Sequence, residues 1–139
     1  MYGALEVGTS ALVAQRAHLD LIAGNIAMRE AMTRDASGEW VPYRRRVPLF
    51  APGSGADGSR PGVHVAKIVE DDGPLGLRWD PQSPYAISAG DKKGYVWVSN
   101  VDYHTEMVNA LQAARAYEAN VTLIEAAKSM AATTLRLLA

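Results

Sequence analysis

The stretch Gly53-Ser-Gly55-Ala-Asp-Gly58 has the glycine spacing of a dinucleotide-binding loop. In such a site the glycines follow a strand and open a helix, whose N-terminus holds the pyrophosphate. Here Ser59-Arg-Pro61-Gly62 follows and leads into a strand pattern, and Gly58 is not followed by the Lys of a phosphate-binding loop. We therefore expect a hairpin loop here, and the sequence predicts no cofactor.

The other reactive residues do not form a recognisable catalytic or metal-binding set. His18, His64 and His104 fall on a predicted helix, a predicted strand and a helix entry, with no partner at metal-ligand spacing. The acidic cluster Glu70-Asp71-Asp72 is followed by Gly73-Pro74 and lacks the alternating oxygen ligands of a calcium loop. We expect the histidines at the surface and the acidic cluster in a solvated turn, and we predict that the protein is not an enzyme.

Arg44-Arg45-Arg46 is the densest basic run, and it lies at the start of a predicted strand. Successive strand residues point to opposite faces, so Arg44 and Arg46 would share one face and Arg45 the other. This division of charge argues against a phosphate-binding patch. Two interpretations stay open: ion pairs at a subunit interface, or a solvated edge strand whose charges prevent aggregation.

Composition limits the function classes further. The chain has 139 residues, 48% of them hydrophobic, a net charge of -1 and no Cys. This length excludes a multidomain enzyme, the near-neutral charge argues against nucleic acid, and the absence of Cys excludes disulfides and thiol catalysis. No apolar run reaches the roughly 20 residues that span a bilayer, and the first 20 residues lack a basic segment followed by an apolar one. We expect neither membrane insertion nor a cleaved signal peptide.

Helix breakers divide the chain into three parts. All seven Pro lie between Pro42 and Pro84, whereas residues 4–28 and 102–139 contain none. The first of these stretches predicts a helix of about 25 residues, weakened by Gly8 and Gly24 and therefore dependent on packing. Its apolar stripe follows a seven-residue spacing and consists of Leu5, Leu12, Leu19, Ile22 and Ile26.

The second stretch predicts a longer helix with two apolar series that only Lys128 interrupts. Asp102 or Thr105 can cap its start, and Glu106 suits the positive end of the helix dipole. The two predicted helices can pair with each other in antiparallel fashion or with other copies in a bundle. The apolar series comprise Met107, Ala110, Ala114, Tyr117, Val121, Ile124, Ala131, Leu135 and Leu138.

The middle of the chain carries strand patterns separated by turn sequences such as Pro52-Gly53 and Gly73-Pro74. The sequence thus predicts an α+β fold with two long terminal helices and a small irregular β insertion. We expect residues 1–30 and 101–139 to form a discontinuous helical assembly domain and residues 31–100 a loop and β subdomain. The predicted strands are 43–50, 62–69, 75–79 and 95–98.

Two segments carry a family resemblance. Arg115-Ala-Tyr117-Glu118-Ala-Asn120-Val-Thr, with Ala126-Ala-Lys128-Ser-Met130, resembles the C-terminal helix of bacterial flagellar rod and hook proteins. Leu19-Asp-Leu-Ile-Ala-Gly-Asn25-Ile-Ala27 is similar to the motif that ends the first helix of that family, although Met28 to Asp35 departs from the usual continuation. The resemblance covers essentially the whole chain and is strongest to proximal rod subunits. The family-motif residues are Asn25, Arg115, Tyr117, Glu118 and Asn120.

The resemblance implies a structural subunit of the periplasmic rod, exported by the flagellar type III apparatus without a cleaved signal. Its implied partners are other rod proteins, further copies of itself, the junction of the basal-body ring with the export gate, and the export apparatus. Repeated contacts of one kind between such subunits generate a helical tube. We expect the apolar residues of both helices to form the assembly interface, with Tyr117, Glu118 and Asn120 setting helix register against neighbours. The alternatives are an autonomous helical adaptor or a small hydrolase using Glu70 or Asp71.

Overall fold

Two long helices dominate the computed structural model, which describes residues 2–54 and 60–138. The first, α1, is Tyr2–Ala27, and the second, α2, is Tyr103–Leu138. Both predicted helices are confirmed, with ends within two residues of the predicted ones. Within the described ranges, neither helix contains an apolar stretch long enough to cross a membrane.

Asp102 caps α2 as predicted. Its Oδ2 accepts hydrogen bonds from the backbone N–H of Thr105 at 3.1 Å and from the Thr105 hydroxyl at 2.6 Å. These bonds lower the pKa of Asp102, because they favour the charged carboxylate. The backbone N–H of Glu106 then bonds the Asp102 carbonyl at 3.0 Å and begins the helical ladder.

The helices pack against each other in antiparallel fashion. Asn25, near the end of α1, meets Glu106 in the first turns of α2, and Gly8 lies against Ile124. Small residues of α2 are buried along this helix, among them Ala113 and Ala127. They allow close approach: a Cβ on Gly8 would lie 2.7 Å from Cγ1 of Ile124.

Three antiparallel two-stranded ribbons fill the middle of the chain. The first pairs β1 (Met32–Arg34) with β2 (Trp40–Pro42), the second β3 (Arg46–Ser54) with β4 (Arg60–Glu70), and the third β5 (Gly76–Trp79) with β6 (Tyr95–Val98). The four predicted strands are present, which confirms the α+β class, but β3 begins three residues later than predicted. The hairpin joining β3 and β4 carries the glycine motif, and its residues 55–59 lie outside the described ranges.

The β1–β2 ribbon was not predicted. Asp35 closes its turn, because Oδ1 accepts hydrogen bonds from the backbone N–H groups of Ser37 at 2.9 Å and Glu39 at 3.0 Å. Gly38 takes a φ of 83°, which a glycine adopts without strain. Strands of three residues are too short to show alternation, so the composition of the turn was the only signal.

The β3–β4 ribbon packs along α1 and, within the described residues, not along α2. The backbone N–H of Val63 donates to the Ser10 hydroxyl at 3.1 Å, and the Phe50 ring meets the His18 ring edge-on at a centroid distance of 5.8 Å. Helix α1 therefore lies between α2 and the ribbon, and much of the α2 surface stays open.

Candidate functional site

The most buried polar side chains of the described residues lie where α1 ends and α2 begins. Asn25 is 1% exposed and Glu106 is 0% exposed. They belong to a cluster that we call the polar junction, which also contains residues from the segments before β3, after β4 and before α2. Its members are Asn25, Tyr43, Arg45, Asp71, Asn100 and Glu106.

Asn25 uses the whole hydrogen-bonding capacity of its amide. Oδ1 accepts from the Tyr43 hydroxyl and from the backbone N–H of Arg46, both at 2.9 Å. Nδ2 donates to the Arg46 carbonyl and to Oε2 of Glu106, again at 2.9 Å. This mixture of donors and acceptors requires an amide and cannot be supplied by a carboxylate. Asn25 thus bonds the β3 entrance to the start of α2.

Glu106 meets a cation from the β region. Its Oε1 accepts from Nε of Arg45 at 2.8 Å and from Nδ2 of Asn109 at 3.2 Å. The Arg45 guanidinium also donates a hydrogen bond from Nη1 to Oδ2 of Asp71 at 3.3 Å. Burial lowers the pKa of Arg45, but the two carboxylates outweigh burial and the pKa is raised overall, so the guanidinium stays charged.

Asp71 and Asn100 complete the junction. Asn100 accepts from the backbone N–H of Arg45 at 2.9 Å and donates to the Asp71 carbonyl at 3.0 Å. A hydrogen bond from the backbone N–H of Gly73 and then the Arg45 guanidinium lower the pKa of Asp71. Five separate chain segments are therefore connected through a few side chains.

The structure corrects two expectations about charged residues. Arg44 and Arg45 precede β3 and do not alternate across a strand, and the partners of Arg45 lie in the same chain. Asp71 does not lie free in a solvated turn, because it is half-buried and binds Arg45. Arg46 does form an exposed ion pair, with Glu70 at 3.3 Å.

Two of the three histidines, His18 and His64, are half-buried and not fully at the surface as expected, whereas His104 is exposed. Burial lowers the pKa of His18, and the charge of Glu106 opposes that effect. Nδ1 of His64 lies 2.8 Å from the Gly53 carbonyl. Within residues 2–54 and 60–138, no group of three His, Asp or Glu side chains converges to hold a metal ion.

An open cavity of about 710 Å³ lies between β2 and residues 85–92. Its main aromatic side chains are already engaged: Trp40 meets Tyr85 edge-on at 4.7 Å, and Lys92 lies 4.4 Å from the centre of the Trp97 ring. The guanidinium of Arg34 lies 4.6 Å from the centre of the Trp40 ring. These contacts account for the aromatic surface without a ligand.

The contact between the two helices uses part of the predicted apolar series. On α1, Ile22 is buried, and its neighbours in the stripe, Leu5, Leu12, Leu19 and Ile26, are half-buried. On α2, half-buried Ala110, Ile124 and Ala131 and partly exposed Tyr117 recur at the predicted spacing.

The second row of that contact lies one residue earlier than the predicted second series. The row consists of Glu106, Ala113, Asn120 and Ala127, whereas Met107 and Leu135 are exposed and Ala114 and Val121 are half-buried. A search for apolar repeats misses this row, because two of its four members are polar. Lys128 is exposed, because Ala127 and not Lys128 lies in the contact with α1. The side chain of Leu138 lies outside the described residues.

The other family-motif residues lie in the middle of α2. Arg115 and Glu118 form an exposed ion pair at 3.2 Å, and Nδ2 of Asn120 donates to the Ala116 carbonyl at 2.8 Å. Tyr117 is partly exposed. The polar junction therefore contains Asn25 but none of these four.

The second half of α2 presents an apolar surface with few intramolecular contacts. Residues seven apart on a helix differ by only about 20° around its axis, so Leu123, Met130 and Leu137 share one face, which we call the outer stripe. They are 46%, 63% and 83% exposed, increasing from the edge of the α1 contact to the end of α2. Such a run of large apolar side chains is typical of a surface that a protein partner covers.

Comparison with known proteins gives a consistent result. A family model described as the C-terminal region of the flagellar basal body rod FlgEFG proteins matches residues 92–137. The chain is 41% identical to the flagellar basal-body rod protein FlgC of Borreliella burgdorferi, over 94% of this chain and 92% of the relative. It is 40% identical to FlgC of Bacillus subtilis, over 93% and 92%, and 36% identical to FlgC of Escherichia coli O6:H1, over 95% and 93%. These matches confirm the resemblance to flagellar rod proteins.

Proposed function

The chain belongs to the FlgC family of flagellar basal-body rod proteins and is therefore a structural subunit of the bacterial flagellar rod, and we propose how it assembles. In this proposal it polymerises through the exposed faces of its helices. The observation that carries this proposal is the outer stripe, which leaves three large apolar side chains of α2 exposed. Burying such side chains against a neighbour contributes about 25 cal/mol per Å² of apolar area.

The predicted interface residues take two roles in this proposal. Met107, Tyr117 and Leu135 are exposed enough to contact a neighbour directly. Ile22 acts indirectly, because it is buried within the subunit and supports the helix that makes the contact. Glu118 is exposed beside these positions and contributes to register against the neighbouring subunit, and Asn120, half-buried in the row that meets α1, supports that register from within the subunit.

The partners are further copies of this chain and other rod proteins, together with the basal-body ring and export-gate junction and the export apparatus. The subunit occupies the periplasmic part of the rod and is exported without cleavage of a signal peptide. Residues 1–30 and 101–139 form the assembly domain, a division that the direct packing of α1 on α2 supports. Residues 31–100 form the β subdomain, and the β3–β4 ribbon packs along α1.

A purely structural role fits the FlgC relatives, which are flagellar basal-body rod proteins. Those relatives do not favour an autonomous helical adaptor. Repetition of one heterologous contact between copies gives a helical tube, as a drive shaft requires.

Met130→Asp tests the proposal, because Met130 is exposed in the free subunit and we therefore expect its replacement to leave the fold intact. We expect the variant to be exported and folded but absent from isolated basal bodies, and cells that carry it to be non-motile. Met130→Leu is the matched control and should assemble normally, since it keeps an apolar side chain of similar volume. Normal incorporation and motility with Met130→Asp would contradict the proposed interface.

A further inference from the structure

The β3–β4 ribbon consists of two strands, so each strand has an outer edge with no paired strand beside it. Such an edge can bond a strand of another chain, which leads to unwanted association. Among the described helices and strands, β3 packs only on β4 and α1, and its residues Phe50 and Pro52 are exposed. The outer edge of β3 is therefore accessible to a second strand unless its own residues prevent pairing.

The hydrogen bonds of Asn25 show which backbone groups of β3 face this outer edge. The N–H and the C=O of Arg46 both bond the Asn25 amide, at 2.9 Å each, so both point away from β4. Every second residue of a strand directs its backbone groups to the same side. Pro48, Phe50 and Pro52 therefore also face the outer edge.

The pairing with β4 supports this assignment. Val63 pairs with Pro52, and its N–H points away from β3 to the Ser10 hydroxyl at 3.1 Å. The two residues of an antiparallel pair either both bond each other or both face outward, so Pro52 faces outward as well. Because Pro has no N–H, Pro48 and Pro52 remove no bond within the ribbon and offer no donor to a neighbouring strand.

The outer edge of β4 is interrupted in a different way. Leu49 pairs with Lys67 and the next residue, Phe50, pairs with Val65, so Ala66 lies unpaired on β4. An extra residue of this kind bends the strand and disturbs the regular spacing of its edge. Both edges of the ribbon therefore carry features that oppose the addition of a further strand.

We propose that Asn25, Pro48 and Pro52 close the outer edge of β3 to pairing with β3 of a second copy of this chain. Asn25 occupies the N–H and the C=O of Arg46 as a neighbouring strand would, and the prolines leave Phe50 as the one outward donor that remains within residues 46–52. A second copy is the partner to be excluded, because it carries the same edge and two such edges can pair with two-fold symmetry. This inference concerns the free subunit and does not depend on the proposed rod interface.

The double variant Pro48→Val/Pro52→Val tests the closure, because it restores both N–H groups with a residue that suits strands. Both groups would point away from β4, so we expect the pairing within the ribbon to persist. The matched control Leu49→Val/Ala51→Val adds the same two side chains to β3 but keeps both prolines. All variants are made in a protein that carries Met130→Asp, so that the outer stripe does not contribute to association.

Sedimentation velocity over a range of concentrations measures dimerisation, and amide hydrogen exchange followed by NMR identifies the protected amides. We expect the double variant to dimerise, because antiparallel pairing about Phe50 gains four N–H···O bonds, two from each copy. At the lower limit of the usual contribution per bond, dimerisation should be roughly 30-fold stronger than in the control. The amides at positions 48, 50 and 52 should exchange more slowly in the dimer.

Dimerisation of the double variant no stronger than that of the control would overturn the closure. Protection confined to residues outside β3 would also overturn it, because the dimer contact would then lie elsewhere. Circular dichroism shows whether the double variant folds. If it does not, Pro52→Val alone decides, since Pro52 is exposed and its replacement should strengthen dimerisation roughly fivefold through two bonds, and no change in that variant would contradict the proposal.

Discussion

Replacement of Arg45 by Met leaves the carboxylate of Glu106 buried without its cation. Met keeps most of the aliphatic volume of the arginine stem, so the change chiefly removes charge and hydrogen bonds. Glu106 retains the amide donors of Asn25 and Asn109, at 2.9 Å and 3.2 Å, and has no route to water at 0% exposure. The variant therefore isolates the cost of one uncompensated buried charge.

The structure sets the magnitude of this loss. Breaking a buried ion pair by removing one partner costs about 3–5 kcal/mol. The Arg45 side chain is 23% exposed, so solvent weakens the pair and the loss should fall near the lower end, about 3 kcal/mol. At roughly 4 °C per kcal/mol for a chain of this size, the melting temperature should fall by about 12 °C.

Arg46→Met is the matched control in the adjacent position. The Arg46–Glu70 pair is about half exposed on both sides, and such pairs contribute less than about 1 kcal/mol. Urea denaturation and thermal melting by circular dichroism at pH 7 measure both variants. Equal losses in the two variants, or a loss below about 1 kcal/mol for Arg45→Met, would refute the argument that Glu106 is a desolvated charge.

The helix contact and the acid response give two further predictions. Gly8→Ala should lower the melting temperature, because the added Cβ would lie 2.7 Å from a side-chain carbon of α2. Gly24→Ala should raise it, because nothing lies within 4 Å of the added Cβ and Ala favours the helix by about 1 kcal/mol over Gly. Calorimetry measures both melting temperatures, and stabilisation by Gly8→Ala would contradict the close contact. The Gly73 N–H and then Arg45 lower the pKa of Asp71 in the folded protein, so its contribution is present above about pH 4 and is lost as the pH falls through the folded pKa. Urea titrations at pH 7 and pH 3 should therefore show Asp71→Asn to be less destabilising at pH 3 than at pH 7, and an equal effect at both would contradict this linkage.

The spacing of apolar residues predicted the helices and strands that are long enough to show a repeat. The apolar repeats of α1 and α2 extend over many turns, and the strands of the β3–β4 and β5–β6 ribbons lie between clear turn sequences. The β1–β2 ribbon was not predicted, because each of its strands has only three residues and its turn depends on the side chain of Asp35. Local patterns are therefore informative only where several residues repeat the same environment.

The polar junction could not be predicted, because its partners are far apart in the sequence. Glu106 lies 61 residues from Arg45 and 81 from Asn25. In the sequence, Glu106 suits the first turn of a helix, because a carboxylate there interacts favourably with the helix dipole. That explanation holds for an exposed residue and gives no reason to expect a buried one. The sequence singled out Asn25 by its family motif, and Arg45, Asp71 and Glu106 only for local reasons, so their common site became visible when the fold brought them together.

Glu106 lies near one end of α2 and the outer stripe lies towards the other, so one helix connects the polar junction with the proposed rod interface. Met130 lies 24 residues beyond Glu106, about 36 Å along a straight helix. A helix transmits an axial shift along its length, so any displacement of α2 at the junction would move the stripe by the same distance relative to the β region. A neighbour that contacts both the stripe and the β region could then satisfy only one of these contacts. The contacts that hold α2 in one alignment, namely the polar junction and the approach of Gly8 to Ile124, therefore also fix where the outer stripe lies relative to the β region.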